Sequence, residues 1–121
     1  MRYLLLIYSP ESHYQQMSPQ DMGALMAEWG KFHEEIASSG VVEASERLKP
    51  TPTATTVRVR AGKSAATDGP FAETKEQLGG FYLLKVANLD EALAWAKKVP
   101  SARVGSIEVR PIWEAAEYMK R

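Results

Sequence analysis

Apolar residues run almost without interruption from Tyr3 to Tyr8, where a strand wet on one side alternates. This pattern predicts a strand over residues 2–8 that is covered on both faces. Ser9 to Met17 is polar, contains Pro10 and His13, and reads as a loop. A helical period begins after Ser18. Met22, Leu25, Met26, Trp29, Phe32, His33 and Ile36 recur at helical spacing and mark one apolar stripe, with His33 as its polar member. Ser18 suits the N-cap, Pro19 the first helical position and Asp21 the capping-box acid, and Gly40 marks the end.

Val41-Val42-Glu43 begins a short extended piece, and Leu48 to Thr53 is a proline-punctuated connection. Thr55 to Arg60 alternates valines with arginines. Ala61-Gly62-Lys63 turns the chain into a weaker returning strand, Ser64 to Thr67. Phe81 to Val86 is a second strongly apolar strand. Asn88 then caps a helix with Glu91 at its capping-box position. Leu89, Ala92, Leu93 and Ala96 form its expected buried stripe, Lys97 and Lys98 suit its C-terminal end, and Pro100 stops it. Val104 to Arg110 reads as a final strand closed by Pro111. The tail from Ile112 to Arg121 places Trp113, Tyr118 and Met119 at roughly helical spacing.

The order strand, helix, strands, helix, strand predicts an α+β fold over residues 1–121: a ferredoxin-like βαββαβ unit with an antiparallel sheet and an additional hairpin. Two helices cover only one face of such a sheet. The strands at 3–8 and 81–86 look apolar on both sides, so a second cover is expected. The same face of another copy, packed sheet to sheet in a homodimer, supplies one. The chain's own tail folding back over the sheet is the alternative.

Composition narrows the function more than the fold. The 15 basic residues balance 15 acidic ones, and no pattern of aromatic and basic residues accompanies them, so neither nucleic acid nor a membrane surface is an expected partner. The apolar run after Arg2 is shorter than a secretory core and far too short to span a bilayer. With no cysteine, thiol chemistry is excluded and a cytoplasmic setting is expected. Two widely separated histidines, and the lack of phosphate-loop, GxSxG or HExxH motifs, leave no metal or cofactor expected.

Candidate chemistry concentrates in residues 68–81, DGPFAETKEQLGGF. Gly69 before Pro70 points to a restricted turn, and Gly79-Gly80 to a bulge or a close backbone approach. Between them Glu73, Lys75 and Glu76 are bracketed by Phe71 and Phe81. Asp68 reads either as a general base or ligand anchor set by the turn, or as a carboxylate capping local backbone N–H groups. His33 is either its proton-transfer partner or a hydrogen-bonded histidine at the core edge. A small molecule held by Gly69, Pro70, Phe71, Glu73, Lys75, Glu76, Gly79 and Gly80 is the expected ligand, with Lys75 facing an anionic group. Surface ion pairing is the alternative for those charges. Arg58, Arg60 and Arg110 are candidates for an anion site, or for a solvated face paired with Glu108.

The run from Thr67 to Phe81 resembles the signature of the DGPF branch of the YCII-related proteins. Met1 to Tyr8, Thr53 to Arg58, Leu89-Asp90-Glu91-Ala92 and Ile107 to Pro111 are similar to that family as well. The resemblance implies a dimeric α/β-barrel of ferredoxin-like subunits and no assigned reaction. It also implies an association with alternative sigma factors in bacteria. For some relatives in the wider group the resemblance implies a His–Asp pair used in acid–base chemistry.

Overall fold

The computed structural model describes residues 1–119. In chain order its elements are β1 (Arg2–Ser9), α1 (Glu11–Gln15), α2 (Pro19–Ser38), β2 (Val42–Arg47), β3 (Thr55–Arg60), β4 (Lys63–Asp68), β5 (Gln77–Lys85), α3 (Leu89–Lys98), β6 (Ser106–Pro111) and α4 (Ala115–Tyr118). Single-turn 3-10 helices occupy Thr51–Thr53 and Pro100–Arg103. One antiparallel sheet has the order β2-β5-β1-β6, with α2 and α3 as its crossovers, which is the ferredoxin-like arrangement. The additional hairpin, β3–β4, forms a second sheet of its own.

Capping fixes where the long helices begin. Ser18 Oγ accepts from the Asp21 N–H at 3.1 Å, and Pro19 takes the first turn, where no intrahelical donor is needed. Asn88 Oδ1 accepts from the Glu91 N–H at 3.0 Å, while the Glu91 carboxylate reaches back to the Ala87 N–H at 3.1 Å, one residue before the expected one. Gly40, with φ of +81°, turns the chain out of α2.

The core lies between these helices and one sheet face. Tyr3, Leu5 and Ile7 of β1 and Tyr82 and Leu84 of β5 meet Phe32, Ile36, Ala92, Ala96 and Val99. Phe32 is the hub, edge-on to Tyr82 with centroids 5.6 Å apart and to Trp95 at 6.4 Å. In α3 the buried face is carried by Ala92 and Ala96 with Trp95 packed beside them, whereas Leu89 and Leu93 point to solvent. Small residues let the helix approach the sheet, and the larger leucines fall on the outer side.

The other face of the sheet carries Leu4, Leu6 and Tyr8 of β1 opposite Leu83, Phe81 and Leu78 of β5, all half-buried. Arg110 and Glu108 flank Leu4 and Leu6 on β6. The expected covering of both faces is not supplied by the described residues, and the tail as far as Met119 does not roof the second one. Trp113 and Tyr118 stack edge-on with each other and are 71% and 54% exposed. Arg2 instead pins the tail to the sheet rim, its Nε 2.7 Å from Glu114 and its Nη1 3.3 Å from Glu43. The hydrogen bond from Arg2 holds the Glu114 carboxyl below its usual range.

Several boundaries differ from those read in the sequence. The expected loop Ser9–Met17 starts with the last residue of β1 and contains α1, a polar turn too short to show a period. The piece beginning at Val41 extends to Arg47, because it pairs with β5 along Leu84 to Gly80. The last strand starts at Ser106, since residues 100–103 form a 3-10 turn. The tail forms α4 over Ala115–Tyr118, and residues 120 and 121 of the expected helical tail lie outside the described residues.

Close backbone approach, more than loop geometry, decides two glycines. A Cβ on Gly105 would lie 2.0 Å from the Tyr8 carbonyl oxygen, and one on Gly80 would lie 2.7 Å from the Glu46 carbonyl oxygen. The register between β1 and β5 slips between Ile7 and Tyr8, opposite Gly79, which is the expected bulge. Gly105→Ala is expected to destabilise the fold by about 2–3 kcal/mol or more in urea titration, because backbone must move. Gly23→Ala, in an open part of α2, is expected to stabilise it by about 0.5–1 kcal/mol. Equal effects of the two substitutions would contradict the packing described.

Candidate functional site

The turn after β4 is closed by backbone and by neighbouring side chains. Gly69 has φ of +99°, a conformation costly for side-chain-bearing residues. Its N–H donates to the Ala54 carbonyl at 2.7 Å, and Thr56 Oγ1 donates to the Gly69 carbonyl at 2.8 Å. Arg58 Nη2 reaches the Phe71 carbonyl at 3.2 Å. Asp68 lies opposite Thr55, exposed, with no side-chain hydrogen bond or ion pair among the described residues. The Gly69 N–H, which its carboxylate is expected to cap, is taken by the Ala54 carbonyl, while Thr56 and Arg58 donate to the carbonyls of the turn.

His33 lies at the edge of the α2 stripe, exposed, while Phe32 and Ile36 point inward. Its Nδ1 is 2.9 Å from the Tyr82 hydroxyl on the helix-covered side of β5. The structure therefore joins His33 to Tyr82 and not to Asp68. Burial pushes the Tyr82 hydroxyl pKa up, so it stays protonated and serves as a neutral hydrogen-bonding group.

Beside the Gly69 turn lies a cleft of about 400 Å³, lined by Thr51 and Pro52, by Pro70, Ala72, Glu73 and Thr74, and by Gln77. Of the residues singled out in the sequence, Pro70 and Glu73 line it. Asp68, Gly69, Phe71, Lys75, Glu76, Gly79 and Gly80 do not. Phe71 is 78% exposed, Lys75 is exposed, and Gly79 and Gly80 belong to β5. Glu76 keeps its Oε1 shielded from solvent without a hydrogen-bond partner among the described residues. Arg58, Arg60 and Arg110 do not gather into a cluster: Arg60 donates to the Val59 carbonyl, and Arg110 pairs with Glu108 on its own strand.

One residue that the sequence reading passed over organises the cleft. The Glu11 carboxylate accepts from the Thr51 N–H at 2.9 Å and from Thr51 Oγ1 at 2.6 Å. The Glu11 N–H donates to Gln77 Oε1 at 2.8 Å, and Gln77 Nε2 donates to the Thr74 carbonyl at 2.5 Å. This latch ties together three segments far apart in the chain. Its only advance signal is Glu11 directly after Pro10, at the first turn of a helix, where an acid is favoured. A second, smaller cleft of about 230 Å³ is lined in part by His13, Tyr14, Asp21 and Arg103. Arg103 is committed there to Glu28, whose carboxyl it holds below the usual range by hydrogen bonding. No group of three or more histidine, aspartate or glutamate side chains stands together to hold a metal among the described residues.

Removing the latch carboxylate leaves two donors of Thr51 unpaired. Glu11→Ala is expected to cost about 1.5–3 kcal/mol in urea unfolding and to speed amide exchange at Thr51. A loss within about 0.5 kcal/mol, with unchanged exchange at Thr51, would show that the latch does not hold the cleft.

The comparisons with known proteins agree over nearly the whole length. An uncharacterised protein of Rhizobium meliloti (strain 1021) is 41% identical over 114 residues, which span 93% of this chain and 92% of that relative. The model of the YCII-related domain matches residues 1–116, the ferredoxin-like sheet, its helices and the hairpin together. On that match the chain belongs to the YCII-related domain family.

Proposed function

We propose that this YCII-related protein, of the DGPF branch, is a homodimer that binds a small hydrogen-bond-donating or cationic molecule in the cleft beside Gly69. The observation that carries the reading is the state of the polar groups around that cleft. The Thr51 hydroxyl and both ends of the Gln77 amide are already engaged in the latch. Glu73 lines the same cleft and is exposed, with no ion pair among the described residues. A rigid wall with one free carboxylate favours an amine or another donor over the anionic group that Lys75 suggested. The lining adds no second titratable group, so binding is supported ahead of acid–base catalysis by Asp68 and His33.

The homodimer reading rests on the half-buried stripe Leu4, Leu6, Tyr8, Phe81 and Leu83, an apolar surface that a second copy covers by packing sheet on sheet. A second reading follows from the turn being closed by its own hydrogen bonds. On it, residues 68–80 act as a clasp in a non-catalytic accessory dimer, as in a sigma-factor-linked regulatory setting.

Nuclear magnetic resonance titration with a panel of small amines and small carboxylates separates these readings. Amines are expected to shift resonances of Thr51, Ala72 and Thr74, and Glu73→Gln to weaken that binding about tenfold or more. Carboxylates alone shifting those resonances, dependent on Lys75, would reverse the sign of the site; no shift from either class favours the clasp. Sedimentation is expected to show a dimer at micromolar concentration that Leu6→Glu converts to monomer. A wild-type monomer at that concentration would remove the dimer.

A further inference from the structure

We infer that the β3–β4 hairpin is an arm that seats on a second copy of this chain; the inference rests on the homodimer reading above and adds a second contact to it. Eleven of its twelve strand residues are exposed, with Thr56 as the exception. Its tertiary hydrogen bonds at the root run within its own neighbourhood, between Ala54, Thr56, Arg58 and the segment Gly69 to Phe71. A two-stranded ribbon alone in water is marginally stable at best. This one ends in a two-residue turn, Ala61-Gly62, whose φ values of 52° and 78° both lie in the left-handed region. That turn strains Ala61 and so adds little to the ribbon's stability.

The residues on one face of the ribbon say what it lacks. Val57 pairs with Ala66 and Val59 with Ser64, so the two valines share a face, and they are 65% and 58% exposed. Phe71, just past the root, is the most exposed of the large apolar side chains. β-Branched residues on a strand gain by packing against a neighbour, and among the described residues neither valine joins the core cluster or packs against it.

Charge and symmetry select the occupant. Arg58, Arg60 and Lys63 against Asp68 leave the arm at +2, so a chain of 15 basic and 15 acidic residues holds −2 elsewhere. The arm and the rest of the chain therefore carry opposite net charge, which favours their contact between copies. A two-fold pairing that engages the open sheet face and the arm repeats each of these contacts on both copies. Because Pro70 and Glu73 follow directly from the arm's root, the second copy then also borders the cleft they line.

The chain has no cysteine, so Val59→Cys gives a single labelling position for a polarity-sensitive fluorophore. The emission is expected to shift to the blue over the concentration range in which sedimentation turns monomer into dimer. In unlabelled protein, Val57→Asp is expected to weaken self-association about tenfold or more while far-ultraviolet circular dichroism stays unchanged. A dimer with water-like emission, associating normally with Val57→Asp, would overturn the arm and leave sheet pairing intact. A monomer at all concentrations would overturn sheet pairing and the arm with it. A blue-shifted monomer would place the arm on its own body and overturn the arm's role between copies.

Discussion

A sheet has two faces, and this chain places both of its long helices on one of them. That constraint organises the rest. Tyr3, Leu5 and Ile7 are buried beneath α2 and α3, while their neighbours Leu4, Leu6 and Tyr8 face away and are half-exposed. The two sets have nearly the same hydrophobicity, so the asymmetry comes from topology and not from the residues. A split βαβ unit has only two crossovers, and right-handed crossovers put both helices on the same side. The charged residues follow the resulting division. Arg2 with Glu43 and Glu114, and Glu108 with Arg110, hold the rim of the open face.

The candidate site stands outside that core. Its parts lie on α1, the Thr51–Thr53 turn and the segment after the hairpin, none of which has an apolar stripe of its own to anchor it. Position there comes from hydrogen bonds to Glu11 and Gln77 and from the left-handed backbone at Gly69. Loops on a rigid scaffold are where binding usually resides, and here the scaffold reaches the loops through one carboxylate. Charge-assisted bonds of this kind are stronger than neutral ones, which suits a latch with few other contacts.

The sequence reading succeeds where the physics is local. Ser18 and Asn88 announce the helix starts because capping needs only residues within one turn. Gly79 announces the bulge, and Gly69 the left-handed turn, because each reports a backbone preference. Reading fails where the deciding partner is remote. Leu89 and Leu93 satisfy the helical period as well as Ala92 and Ala96 do. Only the rotation of α3 about its own axis against the sheet selects the alanines. His33 sits at stripe spacing, yet the covered side of α2 runs through Trp29, Phe32 and Ile36 and leaves it at the edge, bonded to Tyr82.

What the residues determined by themselves was therefore the α+β element order, the helix caps, the extra hairpin and the two-sided apolar strands, all consequences of short-range periodicity and backbone restriction. Tertiary structure alone decided that Glu11 would meet Thr51 and Gln77, across separations of 40 and 66 residues. It also decided that Glu73, and not Asp68 or Lys75, would line the cleft. A side chain's type limits the hydrogen bonds it can make. Which partner comes within reach depends on how distant segments pack, and no local pattern encodes that.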